Sequence, residues 1–249
     1  MLQKLIGSDG IEVVAVVESQ CVKRRNTLWV VDVFDLIRHS GLRYACYLLW
    51  ITDIFSVLAR CFGGVSVKSL CKKNTLPIIK TKDVHSNKTI KELELVVSAN
   101  KSANTYFVTA MFNQKLSARF LATEDIQCIN VHPGSLPDYR GVDPVLAALQ
   151  NGEQTGCVSL HQTVEELDAG KVLAQHAVAI DASDSLLLNN KRFFGVAANM
   201  LVEWLQMNDK PSPKMQQGNA HYYGWPSRKE VAQVPRLLSI RRWRELLLK

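Results

Sequence analysis

The sequence lacks the cysteine patterns that mark metal-binding and disulfide-rich proteins. Its six cysteines are scattered, without a Cys-x-x-Cys pair and without a cysteine–histidine cluster at metal-ligand spacing. Isolated cysteines of this kind are typical of free thiols in a reducing compartment. We therefore expect a cytoplasmic protein that has no metal site.

A long apolar run is also missing. The run after Glu12 is too short for the core of a signal peptide, and Asp53 interrupts the most apolar stretch, residues 44–59. A membrane span needs roughly 18 to 20 apolar residues in succession. We expect no transmembrane segment, and we interpret residues 43–62 as a buried or interfacial amphipathic helix.

The composition contains no internal repeat or low-complexity tract. Of the 249 residues 47% are hydrophobic and 21% charged, which predicts an ordinary globular protein rather than a disordered one. The net charge of +7 includes a basic cluster at residues 23–25 and another at residues 236–249. Such clusters attract RNA or a membrane surface without specifying either, and they equally suit solvated faces. An RNA- or membrane-associated role therefore stays open as an alternative.

The order of apolar patterns predicts an α/β fold. A β-branched run at residues 11–17 predicts a strand covered on both faces, and helical periodicity follows. The predicted helices are residues 28–39, 43–62, 65–73, 143–152 and 183–205, and the further strands are residues 76–79, 105–112, 127–131, 155–164 and 171–180. The last two strands form a hairpin, so we expect a mostly parallel sheet with an antiparallel addition.

The composition changes after Asn208. Proline, glycine and polar residues dominate there, which predicts a mostly irregular segment, and a short basic helix at residues 239–249 follows it. We therefore expect a main domain at residues 1–208 and a C-terminal extension at residues 209–249.

Two polar residues stand at the end of the strand predicted at 127–131. Asn130 and His132 are two positions apart, so their side chains point to the same side of a strand. Pro133 ends the strand, and Gly134 and Pro137 favour a tight loop after it. In a parallel sheet, this end of a strand is where ligands bind.

A carboxylate that could partner His132 lies in the turn of the predicted hairpin. Asp168, in the sequence ELDAG, would orient the imidazole and stabilise its protonated form. Asn130 could donate to a developing oxyanion, and no serine or cysteine in the two motifs is a convincing nucleophile. The three residues suit direct acyl transfer to an amine. They also fit a simpler alternative, since a histidine at a strand end is often structural and Asp-Ala-Gly is an ordinary turn.

The motifs from Thr105 to Leu205 resemble the formyltransferases that use 10-formyltetrahydrofolate. The resemblance rests on Asn-x-His-Pro-x-x-Leu-Pro-x-Tyr-Arg-Gly at residues 130–141, then Asp143-Pro144, then TGCVSLHQTVEELDAGKVLAQ from residue 155. These motifs occur in the family's order and at its spacing. The family includes glycinamide ribonucleotide, methionyl-tRNA and nucleotide-sugar formyltransferases.

This resemblance implies a Rossmann-like catalytic domain with helices on both faces of the sheet, and it assigns roles to residues. The catalytic residues would be Asn130, His132 and Asp168, and no metal is implied. The pocket for 10-formyltetrahydrofolate would include Phe112, Gln114, Leu116, Thr163 and Val164. The loop that faces the acceptor would contain Tyr139, Arg140 and Gly141.

The Tyr-Arg-Gly loop followed by Asp-Pro is more similar to the methionyl-tRNA and sugar branches than to the purine branch, and the Tyr-rich segment of the short tail is similar to that of sugar-directed and uncharacterised members. We expect a small-molecule amine acceptor, such as a nucleotide-linked amino sugar, with methionyl-tRNA as the alternative. The family's first strand and loop have no counterpart before the run at residues 11–17, so the resemblance also predicts a missing first strand. A folate- or nucleotide-binding remnant without turnover is a further alternative.

Overall fold

The computed structural model describes residues 1–19, 29–51, 66–100 and 104–238. The strands are β1 Val16–Ser19, β2 Ile78–Thr81, β3 Thr105–Ala110, β4 Ile126–His132, β5 Arg140–Gly141, β6 Thr155–Gln162, β7 Val172–Ala179 and β8 Tyr222–Tyr223. The helices are α1 Leu2–Ile6, α2 Trp29–Leu49, α3 Val67–Lys73, α4 Asn87–Ala99, α5 Ala118–Leu121, α6 Pro144–Gln150, α7 Leu186–Gln206 and α8 Arg228–Gln233.

The main sheet has the strand order β3-β4-β6-β7. β3 lies parallel to β4, whereas β6 is antiparallel to both β4 and β7. β6 and β7 are the hairpin that the alternating sequence predicts. Among the described residues three of the five strand pairings are parallel, so the α/β fold with an antiparallel hairpin is confirmed.

Helices cover both faces of the main sheet. Tyr106 and Val108 of β3 pack against a larger cluster of buried side chains, which includes Phe193 and Trp204 of α7. Phe107 lies between them in sequence and packs on the opposite face. The smaller cluster on that face consists of Ile79, Val84, Leu93, Leu116 and Phe120.

β1 and β2 form a separate parallel pair, with Val16 aligned with Ile78 and Ser19 with Thr81. In the part of the chain that the structure describes, neither of these strands pairs with β3. The described sheet is thus interrupted between the two groups of strands. The predicted strand at residues 11–17 is wrong in its start and in its burial. It begins at Val16, and all four of its residues are only half-buried, because β2 is the one strand that pairs with it among the described residues.

The N-terminal helices agree with the sequence in part. α2 joins the predicted helices at residues 28–39 and 43–62, and Gly41 interrupts it with a φ of 85° that favours glycine. Residues 52–62 of that prediction lie outside the described residues. α4 was missed, although Ser86 caps it and its apolar residues recur at helical spacing. Within the described ranges, no helix combines the length and apolarity that a membrane crossing requires.

The extension after Asn208 is more ordered than expected. β8 pairs with β5, and α8 follows with a capping box between Ser227 and Glu230. Arg43 of α2 donates hydrogen bonds to the backbone of Val231 and Val234. The helix predicted at residues 239–249 lies outside the described residues.

Candidate active site

The centre of the candidate site is formed by three neighbouring strands. Asn130 of β4 stands in register with Thr109 of β3 on one side and with His161 of β6 on the other. His132 lies two residues further along β4, at the end of the strand, and is 3% exposed. The pairing of β4 on both edges therefore brings polar side chains from three strands together.

The amide of Asn130 has a defined orientation. Its Oδ1 accepts a hydrogen bond from the Thr109 hydroxyl at 2.8 Å, and its Nδ2 lies 3.0 Å from Nε2 of His161. Nδ1 of His161 lies 2.8 Å from the carbonyl oxygen of Gln162. Since a carbonyl only accepts, Nδ1 carries the proton and Nε2 accepts from Asn130. The NH2 group of Asn130 is thereby turned toward the site.

His132 is held from two sides. Its Nε2 donates to the carbonyl oxygen of Tyr139 at 2.6 Å, and its Nδ1 lies 3.6 Å from Oδ1 of Asp168. Burial lowers the pKa of His132 below its usual range, although the Asp168 carboxylate opposes this shift. The imidazole is therefore neutral at neutral pH, and Nδ1 can accept a proton beside a carboxylate that stabilises the resulting cation.

Asp168 lies in a strained turn. Its φ is 54°, a left-handed conformation that residues other than glycine adopt uncommonly. Its Oδ2 accepts a hydrogen bond from the Gly141 backbone at 2.9 Å, and its Oδ1 lies 3.4 Å from Nδ2 of Asn130. Burial raises the pKa of Asp168, but His161, His132 and the Gly141 N–H together hold it below its usual value. The carboxylate is therefore charged and points at His132 and Asn130.

Two glycines allow the loops to approach this closely. A Cβ on Gly134 would lie 2.8 Å from Nε2 of His132, and one on Gly170 would lie 1.8 Å from the Gln162 carbonyl oxygen. Neither position has room for a side chain. The glycines of the HPG and DAG motifs are thus required by contact with the site.

The residues predicted for the folate pocket lie in the loops after β3 and β6. The side chain of Leu116 is buried in the smaller cluster, and Phe112 packs beside it. Gln114 accepts a hydrogen bond from the Val84 backbone at 2.9 Å and donates one to Ser19 Oγ at 2.7 Å. These side chains therefore pack the molecule, and Gln114 links the β1–β2 pair to the loop after β3.

The loops after β3 and β6 approach each other. Glu165 accepts a hydrogen bond from the backbone of Ala118 at 2.9 Å. Thr163 Oγ1 is buried and makes no hydrogen bond within the described residues. Val164 and Met111 are exposed apolar side chains of the two loops. The two loops thus offer exposed apolar surface together with a buried hydroxyl group.

The predicted acceptor loop uses its three residues differently. The ring of Tyr139 stacks on Tyr223 at 5.4 Å, and its hydroxyl donates to Glu153 at 2.8 Å. Arg140 pairs with Glu166 at 3.0 Å. Only the Gly141 backbone contacts Asp168. The side chain of Tyr139 therefore lies outside the cluster around His132.

Sequence reasoning missed four residues of this site: Thr109, His161, Gln216 and Tyr222. His161 was visible as a polar residue within an apolar strand run, but its partner depends on strand register. Gln216 donates to the Asp168 carbonyl oxygen at 2.7 Å. Tyr222 stands in register with Arg140, and partial burial and the charge of Asp168 raise its pKa. No local signal in the tail indicated either contact.

Across the described ranges, no group of three or more His, Cys, Asp or Glu side chains is arranged to hold a metal ion.

Comparison with known proteins points to one family. The formyl transferase family model matches residues 62–205. Methionyl-tRNA formyltransferase from Thermotoga neapolitana is 30% identical over 155 residues, which cover 62% of this chain and 45% of that protein. The enzyme of the same name from Staphylococcus aureus is 31% identical over 139 residues, 56% of this chain and 43% of that protein. The chain thus spans less than half the length of these relatives.

Two solved structures share the fold. The N-formyltransferase from Helicobacter canadensis, in complex with folinic acid and dTDP-3-aminofucose, aligns with a TM-score of 0.51 and 17% identity over 64% of this chain and 54% of that one. A sugar N-formyltransferase from a Shewanella species aligns with a TM-score of 0.50 and 19% identity over 94% of this chain and 86% of that one. At these identities the likeness concerns the fold alone.

Proposed function

Because this chain belongs to the formyl transferase family, we propose that it moves a formyl group from 10-formyltetrahydrofolate to a primary amine. The proposed catalytic residues are Asn130, His132 and Asp168. The observation that carries the proposal is their convergence, with Nδ1 of His132 and Nδ2 of Asn130 lying 3.6 Å and 3.4 Å from the same oxygen of Asp168. A structural histidine does not require this shared contact with a distant turn.

Each residue has a distinct part in the proposed reaction. The amine nitrogen bonds to the formyl carbon, the bond from that carbon to the folate nitrogen breaks, and one amine proton passes to that nitrogen. Asn130 donates to the formyl oxygen as negative charge grows on it. His132 takes the proton and returns it, and Asp168 stabilises the protonated imidazole. The fixed amide of Asn130 and the neutral His132 support these roles.

We propose that the folate co-substrate binds between the loops after β3 and β6, where it supplies the formyl group. Phe112, Gln114 and Leu116 would contact it mainly through backbone atoms, since their side chains are engaged in packing. Thr163 and Val164 would line the opposite side. The buried hydroxyl and the apolar surface of these loops suit a flat ring with polar edges.

For the acceptor we propose a small molecule, namely a nucleotide-linked amino sugar. The compound dTDP-3-aminofucose in the Helicobacter structure supports this class. The backbone of Arg140 and Gly141, with the exposed ring of Tyr222, would face the acceptor. Methionyl-tRNA is the second candidate, which the curated relatives and the net charge of +7 favour.

We further propose two properties of the enzyme. The first is that it is cytoplasmic, and the second is that residues 1–208 are its catalytic domain and residues 209–249 an extension of that domain. Free Cys46, Cys71, Cys128 and Cys157 support the first proposal.

The proposal is tested with a labelled formyl donor and three amines: a dTDP-linked amino sugar, methionyl-tRNA and glycinamide ribonucleotide. We expect transfer to the amino sugar, and a decrease of about 10²- to 10⁴-fold in His132→Ala and Asp168→Ala with folate binding kept. His176→Ala and Asp209→Ala, at exposed positions, are matched controls.

Equal turnover in the parent protein and in both active-site variants would exclude these residues from catalysis. Folate binding without transfer to any of the three amines would favour the inactive remnant. Transfer to methionyl-tRNA alone would replace the sugar as the acceptor.

A further inference from the structure

The segment from Lys214 to Tyr223 runs along the candidate site. Lys214 and Val172 of β7 exchange two backbone hydrogen bonds of 2.8 Å. Tyr222 and Tyr223 pair with Arg140 and Gly141 through the β5–β8 ladder. The segment is therefore attached at both ends, and the residues between its attachments lie against the turn that contains Asp168.

Gln216 is the residue of this segment that turns inward. It is half-buried, whereas Met215 and Gln217 on either side are exposed. Its Nε2 donates to the carbonyl oxygens of Asp168 at 2.7 Å and Gly170 at 2.8 Å. Its Oε1 accepts from Nε and Nη2 of Arg140 at 3.1 Å and 2.7 Å. All four hydrogen-bonding positions of the amide are used, so its orientation is defined.

The two carbonyl groups that Gln216 binds belong to a turn that needs support. Asp168 has a φ of 54°, and a non-glycine residue persists in such a conformation only when its surroundings hold it. The Gly141 N–H holds the carboxylate, and Gln216 holds the backbone on both sides of Ala169. Without Gln216 the backbone of this turn loses its two side-chain donors.

We propose that Gln216 is a positioning residue for the formyl transfer, which holds Asp168 in the conformation that aims its carboxylate at His132 and Asn130. This inference rests on the function proposed above, and it assigns a role in that reaction to the extension, outside the matched residues 62–205. Gln216 itself acts only through Asp168 and Arg140.

Several charged or titratable groups face Asp168 and set the background for a test. His132 of β4 and His161 of β6 lie 3.6 Å and 3.5 Å from its Oδ1. The charge of Asp168 also contributes to the raised pKa of Tyr222 in β8. Arg140 of β5 reaches the turn through Gln216 and Glu166. Of these, His132 reports most directly on where the carboxylate points.

The first variant is Gln216→Ala, with Gln206→Ala as its control. Gln206 is an exposed glutamine at the end of α7, bonded to the Asp9 carbonyl oxygen. We expect kcat of Gln216→Ala to fall by about 10²-fold, as for a catalytic group displaced by about 1 Å, with little change in KM for either substrate. The pKa of His132, followed by NMR of its ring protons, should decrease, because the displaced carboxylate no longer favours the imidazolium.

The second variant is Gln216→Glu, which keeps the hydrogen-bond acceptor of the side chain and removes its donor. Its carboxylate keeps both hydrogen bonds from Arg140 but cannot donate to the carbonyl oxygens of Asp168 and Gly170. We expect the same loss of kcat as in the alanine variant. Since the bonds to Arg140 remain, this variant also serves if Gln216→Ala does not fold, as judged by circular dichroism.

Three results would overturn the proposal: unchanged kcat in Gln216→Ala, full activity in Gln216→Glu, or an unchanged pKa of His132 in both. A rise in acceptor KM at constant kcat would assign Gln216 to binding through Arg140 and would equally overturn it. The His132 titration requires no turnover, so it tests the positioning role even if the proposed reaction fails with every amine.

Discussion

β4 and β1 are both parallel strands that end in polar residues, but only β4 is paired on both edges within the described residues. The end of β4 holds Asn130 and His132 in hydrogen bonds to neighbouring strands and loops. At the end of β1, Ser19 is bound by the Gln114 side chain. Pairing on both edges fixes where polar side chains meet, and this explains why the candidate site lies on the main sheet.

The two clusters of buried side chains on the two faces of the main sheet also differ from each other. The larger cluster contains most of the buried residues of β4, β6 and α7. Within the described residues, the smaller cluster has five buried members and many half-buried neighbours. A core with partly exposed walls can relax around a cavity more easily than a closed one. The two regions should therefore respond differently to the same substitution.

The largest effect is expected from a matched pair of phenylalanines, each 1% exposed. Phe193→Ala, in the larger cluster, should lower the free energy of unfolding by about 3–5 kcal/mol. Phe120→Ala, in the smaller cluster, should cost about 2–3 kcal/mol, because its neighbours can move into the space. Urea denaturation measures both. Equal costs would contradict the difference between the two cores.

A somewhat smaller effect on the free energy of unfolding is expected from the titration of Asp143. This residue caps α6 and accepts a hydrogen bond from Tyr44 of α2. Burial raises the pKa of Asp143 to about 6 from its ordinary value of 3.8. The folded state therefore holds the proton of Asp143 more tightly than the unfolded state does. The stabilisation that protonated Asp143 gives to the fold is complete below pH 4 and is lost as the pH rises through about 6.

Asp143→Asn should remove this dependence. Relative to the parent, the unfolding free energy of the variant should improve by about 3 kcal/mol between pH 4 and pH 7. Urea denaturation at several pH values measures the difference, with Asp209→Asn as an exposed control. A constant difference between variant and parent over this range would mean that Asp143 titrates normally.

His161 tests whether the third strand defines the site. His161→Phe keeps the ring volume but removes the acceptor for Asn130, so the amide can rotate. We expect kcat to fall by about 10- to 10²-fold, or about 1.4–2.7 kcal/mol in the barrier, with folate binding kept. His176→Phe, on the exposed side of β7, is the control. Full activity of His161→Phe would show that Thr109 alone orients the amide.

The smallest effect is expected at the link between the two groups of strands. Gln114→Ala removes hydrogen bonds to Val84 and Ser19 and should lower the free energy of unfolding by about 1–2 kcal/mol. Hydrogen exchange should increase mainly in β1 and β2. Uniform exchange throughout the sheet would mean that both groups of strands unfold together.

The local pattern predicted β3, β4, the β6–β7 hairpin and the helices α6 and α7, because each has several residues with a clear period. It was less accurate for β1, whose burial depends on a neighbour rather than on its own β-branched residues. It missed α4, although the cap at Ser86 and the periodic leucine and valine residues were present.

The sequence by itself determined which residues end β4 and which residue stands in the hairpin turn, and proline and glycine made both positions recognisable. Only the tertiary structure decided that Thr109 and His161 flank Asn130, since strand register depends on contacts between distant segments. It likewise decided that Gln216, 48 residues beyond Asp168, supports the turn. Such a contact has no local signature, because the chain between the two residues must fold before they can meet.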